Sequence, residues 1–174
     1  SRTLFARNKE VGERIIEDFF RINGFQIVYP ENLPVIEQIS IIANAEIIAS
    51  VEGTIAHNIL FSSSGITQII IRKQSWLNPR QVIFNQITNT KVIYIDCYKE
   101  PLKCYPQNYD EGPFLMLFTN NLLEFARKYN YKIKLRYFLS NIISIVSYLN
   151  LCIKKSLWKV YKRVVRIFYP TKKW

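Results

Sequence analysis

Several motifs and residue types are scarce in this 174-residue sequence, and each scarcity argues against a class of protein. Only five glycines occur, and no Gly-rich phosphate loop, GxGxxG, HExxH or GxSxG motif is present. P-loop, dinucleotide-binding, zinc-protease and serine-hydrolase functions are therefore disfavoured. The three cysteines (Cys97, Cys104 and Cys152) form no CxxC pair, which indicates reduced thiols in a cytoplasmic protein and no bound metal.

The start of the sequence lacks the features of a secretory signal. Ser1-Arg2-Thr3 resembles the end of a strand more than a natural beginning. We therefore expect the chain to be one lobe of a longer protein, with its partner lobe upstream.

Acidic residues are nearly absent from the last third of the chain. Residues 1–110 hold 11 basic and 11 acidic side chains, whereas residues 111–174 hold 13 and 2, so the net charge of +11 belongs to the second part. Such an asymmetry indicates an anionic partner surface, either membrane lipid or nucleic acid.

The first 110 residues alternate between strand and helix patterns. We predict strands over 1–6, 25–29, 46–51, 67–71 and 91–96, and helices over 9–22, 34–44, 54–62 and 78–87. Asn8 is expected to cap the first helix, and Asn78-Pro79 to begin the last of these helices. The apolar residues of the first helix are expected to face inward: Val11, Ile15, Ile16, Phe19 and Phe20. Short strands of nearly continuous Val and Ile are typical of a parallel sheet buried on both faces. The sequence therefore predicts an α/β fold with a doubly wound, mostly parallel sheet, a Rossmann-like domain over 1–110.

Residues 111–174 are predicted to form a helical extension. A helix is expected over 113–129, and apolar residues then recur every three or four positions from Leu139 to Phe168. The apolar run 138–153 contains serines and asparagines and is short for a membrane span. Because lysines, arginines and aromatic residues follow it, a basic amphipathic helix lying on an anionic membrane is favoured, and no nucleic-acid partner is expected.

The turn Glu52-Gly53-Thr54 is the main candidate site, because it joins a predicted strand to a predicted helix. A helix start offers free N–H groups that suit an anion or a sugar, although a plain connection has the same sequence. Glu52 would repel a phosphate, so a hydroxyl-binding or catalytic role suits it better. The only histidine, His57, is either structural or a general base.

Basic residues also follow the predicted strands. Arg2 and Arg7 suit diphosphate recognition, and Arg72 and Lys73 have the same position after a later strand. The alternative is plain surface charge, which is the favoured explanation for Arg7, Arg72 and Lys73 when each is taken alone. Glu37 suits the first turn of a helix without any functional role.

Several segments in this order resemble the carboxyl-terminal lobe of glycosyltransferase family 61, whose bacterial members are often called capsular polysaccharide biosynthesis proteins. The segments are Ser1-Arg2, Arg7-Asn8-Lys9-Glu10, Gly24-Phe25 to Pro30-Glu31, Glu37-Gln38, and Glu52-Gly53-Thr54 to Asn58-Ile59-Leu60-Phe61. Many members carry His-Gly-Ala-Gly where this chain has Glu52-Gly53-Thr54-Ile55.

The resemblance implies a GT-B fold and a metal-independent transfer of a hexosyl or related sugar from a nucleotide-sugar, UDP-linked, to a glycan acceptor. No cofactor is implied, and the amino-terminal lobe would hold the acceptor. The resemblance assigns Arg2 and Arg7 to the donor diphosphate, Glu31 and Glu37 to the base or ribose, and Gly53, Thr54, His57 and Asn58 to the phosphate or sugar.

Two functions remain open from the sequence. One is a glycosyltransferase, peripheral at the inner membrane, with Glu52 or His57 assisting as a base. The other is a non-catalytic Rossmann-like module that docks on a membrane or a partner through its basic helix.

Overall fold

The structure is a computed structural model that describes residues 10–102, 105–106, 108 and 111–168. The described strands are β1 (Glu10–Val11), β2 (Ile47–Val51), β3 (Thr67–Arg72), β4 (Lys91–Asp96) and β5 (Phe114–Leu115). The described α-helices are α1 (Glu13–Ile22), α2 (Val35–Ala43), α3 (Pro79–Ile87), α4 (Asn120–Lys128) and α5 (Arg136–Phe168), and 3-10 helices cover Pro30–Asn32 and Thr54–Phe61.

The predicted α/β class with parallel strands is confirmed. Strands β2, β3 and β4 form a parallel sheet in that order, with Val51 opposite Ile71 and Ile71 opposite Ile95. The central strand β3 is buried from Gln68 to Ile71, as its apolar sequence predicts.

The prediction of one continuous sheet was wrong for the described residues. Segment 25–29 forms no strand, and β1 pairs in parallel with β5 in a separate two-stranded sheet. The predicted strand 1–6 and the predicted helix cap Asn8 lie outside the described residues. Local apolar runs predict extended chain, but strand pairing depends on distant partners that periodicity does not identify.

Two predicted helices begin later than expected. Helix α1 begins at Glu13, because Glu10 and Val11 pair with β5. The predicted helix 113–129 is also shorter, since Phe114 and Leu115 are strand and the helix begins after Thr119, whose hydroxyl accepts a hydrogen bond from Leu122 N. Thr119 is a preferred helix-capping residue, and that local signal marks the start correctly.

The apolar core connects both halves of the chain. Helix α1 contributes Ile15, Ile16, Phe19 and Phe20, all predicted to face inward. These side chains pack in one cluster with residues of β3, β4, α4 and the start of α5. The described core therefore includes residues from both sides of the predicted boundary at 110/111, and the domain division stays a prediction.

Candidate functional site at the carboxyl edge of the sheet

Polar side chains collect where the three parallel strands end. Strand β2 ends before Glu52, β3 ends at Arg72 and β4 ends at Asp96, and the strand register keeps these ends level. In open parallel sheets this edge is where ligands bind. The sequence predicted Glu52 and Arg72 at this edge, and the structure brings them there together with Asp96.

The turn after β2 has a backbone conformation that favours glycine. Gly53 has φ 132° and ψ −164°, and it is buried. Glu52 is only 1% exposed, and its backbone N–H donates to Ile71 O at 2.9 Å. Burial and, after it, the negative charge of Glu52 raise the pKa of Tyr94 on β4. The carboxylate is therefore buried at the edge, and its charge acts on β4, which is separated from β2 by β3.

The helix predicted over 54–62 is present as a 3-10 helix over Thr54–Phe61. The carbonyl of Ala56 accepts hydrogen bonds from the buried amides of Gln68, at 2.8 Å, and Gln81, at 3.4 Å. Asn85 donates to Gln68 and accepts from Gln81, which completes a buried amide network. These partners lie outside the segment and hold it between β3 and α3.

His57 contacts the beginning of α3. Its Nε2 lies 3.3 Å from Asn78 Nδ2, and its ring meets Phe84 edge to face at 4.8 Å between centroids. Burial, and then the positive charge of Arg80, lower the pKa of His57. The imidazole is therefore neutral at pH 7, as a general base requires.

The cations at the end of β3, Arg72 in the strand and Lys73 after it, are both paired with carboxylates. Arg72 Nη1 lies 2.8 Å from Asp96 Oδ1, and Lys73 Nζ lies 2.7 Å from Glu10 Oε1. Arg72 also donates to the backbone carbonyls of Gln74 and Ser75. These cations therefore organise the edge, and their charge is already balanced by Asp96 and Glu10.

Gln74 is a polar residue at this edge that the sequence reasoning missed. It is 1% exposed, and both amide atoms lack a hydrogen-bond partner in the described structure. A buried amide in this state suits a water molecule or a ligand group that both donates and accepts. The only sequence signal was its position two residues after β3.

An open cleft of about 810 Å³ lies on the β2 side of the sheet. It is bounded by α1, the chain 23–30, the second half of α2, β2 and the 3-10 helix after Gly53, and Asn58 lines it. Glu31 and Glu37 are exposed in the segment that precedes β2, whereas their neighbours Pro30 and Gln38 line the cleft. Gln38 donates to the carbonyls of Pro30 and Leu33, so this amide fixes the turn before α2.

The predicted site residues are thus divided among four places. Glu52 and Gly53 lie at the carboxyl edge with Thr54 exposed beside them, and His57 faces α3. Asn58 lies in the cleft, and Glu31 and Glu37 lie in the exposed segment around α2. Arg2 and Arg7 lie outside the described residues, so their roles stay predictions.

Comparisons with known proteins connect the site to one family. Residues 4–70 match the family model described as Glycosyltransferase 61. Neither the curated proteins nor the solved structures give a match. The matched segment contains α1, α2, β2, the Gly53 turn and the 3-10 helix, and the family implies glycosyltransferase activity in general. Through residues 4–70, the resemblance of this chain to glycosyltransferase family 61 is confirmed.

Proposed function

We propose that the chain is the donor-binding lobe of a GT-B glycosyltransferase that transfers a hexosyl or related sugar from a nucleotide-sugar to a cell-surface glycan or capsule acceptor. One observation carries the proposal. The family segment includes the Glu52-Gly53-Thr54 turn, and this turn lies at the carboxyl end of β2, level with the ends of β3 and β4. Ligands of Rossmann-like sheets bind beyond that edge.

The described charges at the edge suit a sugar better than a diphosphate. Arg72 and Lys73 are paired with Asp96 and Glu10, and Glu52 adds a buried carboxylate. Carboxylates accept hydrogen bonds from hydroxyl groups and repel phosphates. We therefore assign Glu52 to a sugar hydroxyl of the donor or to the attacking hydroxyl of the acceptor.

The diphosphate needs other groups. The first hydrogen bond of the 3-10 helix Thr54–Phe61 runs from Ala56 N to Gly53 O, at 2.9 Å. The N–H groups of Thr54 and Ile55 precede this bond, so the helix itself does not use them. Arg2 and Arg7 supply the positive charge in this proposal, because the resemblance assigns them to the diphosphate. The neutral His57 is the second candidate base.

A calorimetric titration of the whole chain with UDP, other nucleoside diphosphates and UDP-sugars tests the donor site. We expect binding of UDP, and an Arg7→Gln variant should weaken it by about tenfold, because a charge-assisted bond is lost. Arg14→Gln is the matched control, since Arg14 is an exposed arginine on α1. No binding of any nucleotide by the folded wild-type chain would refute the proposal.

A second titration tests the role of Glu52. In a Glu52→Gln variant, we expect UDP to bind as before, while the gain in affinity from the attached sugar is reduced. Glu124→Gln, on the exposed face of α4, is the control. A uniform loss of UDP and UDP-sugar affinity would contradict a sugar-specific role.

The alternative is a non-catalytic module that binds a membrane or a partner through its basic helix. The observation that favours it is the pairing of Arg72 and Lys73, which leaves neither cation with an unbalanced charge for a donor. The first titration separates the two functions, because a stable protein that binds no nucleotide supports the module.

A further inference from the structure

Helix α5 contacts the rest of the protein through its more polar side. Tyr137, Ser144 and Tyr148 are buried against the body at 2%, 7% and 1% exposure. On the same side, Asn141 donates to Phe118 O at 2.9 Å and accepts from Phe118 N at 2.8 Å. Lys155 donates to Gly112 O. Aromatic, amide, hydroxyl and ammonium groups therefore hold the helix on the body.

The most apolar side of α5 faces outward. Ile143 is 68% exposed and Leu139 is 64% exposed. We call the outward stripe the set of exposed apolar residues Leu139, Ile142, Ile143, Val146, Leu149, Ile153, Leu157 and Val160. They recur at helical spacing, so they form one continuous face. This orientation is the reverse of an ordinary surface helix, which buries its apolar face in the core. A contiguous apolar face of this length indicates a binding surface.

The charges of α5 identify what covers this stripe. Between Arg136 and Phe168 the helix has no Asp or Glu, and six of its seven basic residues lie at 154–166. Anionic lipid headgroups complement such a segment. A second copy of the helix would bring another set of cations with no acidic side chain on either helix to balance them, which disfavours self-association.

Two exposed aromatic residues lie within the basic part of α5. Trp158 and Tyr161 are 51% and 49% exposed, and their rings stack at 5.2 Å between centroids. The Lys162 ammonium lies 5.4 Å from the centre of the Trp158 ring. Exposed Trp and Tyr beside lysine are typical of the boundary between lipid headgroups and acyl chains.

Residues Arg136–Arg163 are long and apolar enough to cross a membrane. The contacts of α5 exclude that arrangement for the folded protein. The side of α5 that contacts the body extends from Tyr137 to Lys155, which is about 27 Å at 1.5 Å per residue. A crossing helix would carry the attached polar surface of the body into the hydrocarbon, where its unpaired polar groups are unfavourable. The outward stripe is the side of α5 that the described body leaves open to lipid.

We propose that α5 lies in the plane of an anionic membrane, with its outward stripe in the headgroup–acyl boundary and its basic end on the headgroups. This position goes beyond the proposed glycosyl transfer and does not depend on it. It makes the protein peripheral at the inner face of the membrane, where a capsule acceptor would be met.

Vesicle flotation of the whole chain tests the proposal. We expect binding to phosphatidylcholine vesicles with 30% phosphatidylglycerol, and about tenfold weaker binding at 1 M salt or to pure phosphatidylcholine. Ile143→Glu should weaken binding by about tenfold or more. The matched control is Ile36→Glu, because Ile36 on α2 is also apolar and 83% exposed. Equal binding of Ile143→Glu and wild type would overturn the proposal, as would a dimer that Ile143→Glu dissociates.

Quenching by brominated lipids distinguishes lying from crossing. The variant for this test has its three native tryptophans changed to Phe. Val146, near the middle of the uncharged part of α5, is changed to Trp and serves as the single fluorescent reporter. Bromine near the headgroups should quench this residue more than bromine near the chain ends. Stronger quenching by the deep bromine means a crossing helix and refutes the in-plane position.

Discussion

Lys73 Nζ lies 2.7 Å from Glu10 Oε1, and the two side chains are only 1% and 3% exposed. The pair connects β1 of the small sheet to the residue that follows β3 of the large one. The Lys73 ammonium also lies 4.4 Å from the centre of the Phe114 ring on β5, and Tyr105 donates to Lys73 O. Lys73 therefore joins the two sheets just behind the candidate donor site.

The first prediction concerns this buried pair. Lys73→Met should lower the free energy of unfolding by about 3–5 kcal/mol, because Glu10 then keeps a buried charge without its ammonium. Changing Glu10 to Leu in the same chain should recover part of the loss. Urea denaturation measures both variants, with Lys91→Met at the exposed start of β4 as the control. Equal stability of Lys73→Met and the control would contradict the burial of the pair.

The second prediction concerns the Gly53 turn. Gly53→Asn should destabilise the protein by about 1–3 kcal/mol, because φ 132° with ψ −164° is a region open essentially to glycine. Gly65→Asn is the comparison, since Gly65 has φ 81° and a Cβ there would meet nothing within 4 Å. Asparagine tolerates the left-handed region, so a smaller loss is expected at Gly65. Thermal unfolding of both variants measures the difference in stability. Equal losses of stability in Gly53→Asn and Gly65→Asn would argue against a special role for Gly53.

The third prediction concerns His57, which is the only histidine and so gives a single imidazole titration by NMR. Its pKa should lie below the ordinary 6.5, because burial and the Arg80 charge disfavour protonation. The Arg80→Gln variant should raise this pKa, whereas Arg14→Gln should not. Since the unfolded chain takes up the proton first, His57 lowers stability as the pH falls below about 6.5. A pKa above 6.5 would contradict the effect of burial and of Arg80 on this ring.

The fourth prediction concerns Asp18, which holds α1 against the beginning of α5. Burial alone would raise the pKa of Asp18, but hydrogen bonds from Arg136, Tyr137 and Lys134 outweigh it and lower the pKa to about 2. The carboxylate therefore stabilises the fold above about pH 4, and this contribution is lost as the pH falls toward 2.

Because Asp18 is partly exposed, we expect its contribution to be about 1 kcal/mol. Asp18→Asn should reduce stability at pH 7 by that amount and have little effect at pH 2. Denaturation at the two pH values measures this difference. The control Glu124→Gln on α4 should show no such pH dependence. If Asp18→Asn lowered stability by the same amount at both pH values, the stabilising contacts of Asp18 with Arg136, Tyr137 and Lys134 would be contradicted.

Much of the fold was predictable from local patterns. The apolar spacing in α1 identified four core residues, the Val and Ile runs identified β2, β3 and β4, and Asn78-Pro79 marked the start of α3. Capping residues and periodicity act within a few positions, so they are readable in one sequence. The order of segments over 4–70 also carried the family resemblance.

The candidate site was predictable only in part. The rule for parallel sheets placed Glu52 and Arg72 at one edge, but nothing near Lys73 in the sequence indicated Glu10, 63 positions away. In the same way, nothing near Ala56 in the sequence indicated that its carbonyl accepts hydrogen bonds from Gln68 and Gln81, which lie on β3 and α3. Such contacts arise from packing between distant segments.

The sequence by itself therefore determined the α/β class, the family segment and the basic, acid-free character of α5, because these follow from composition and short-range periodicity. Only the tertiary structure decided which side of α5 faces outward, that β1 pairs with β5, and that Arg72 and Lys73 are balanced by Asp96 and Glu10. The physical reason is that burial and ion pairing depend on which distant surfaces meet, and a repeating pattern along the chain does not specify those partners.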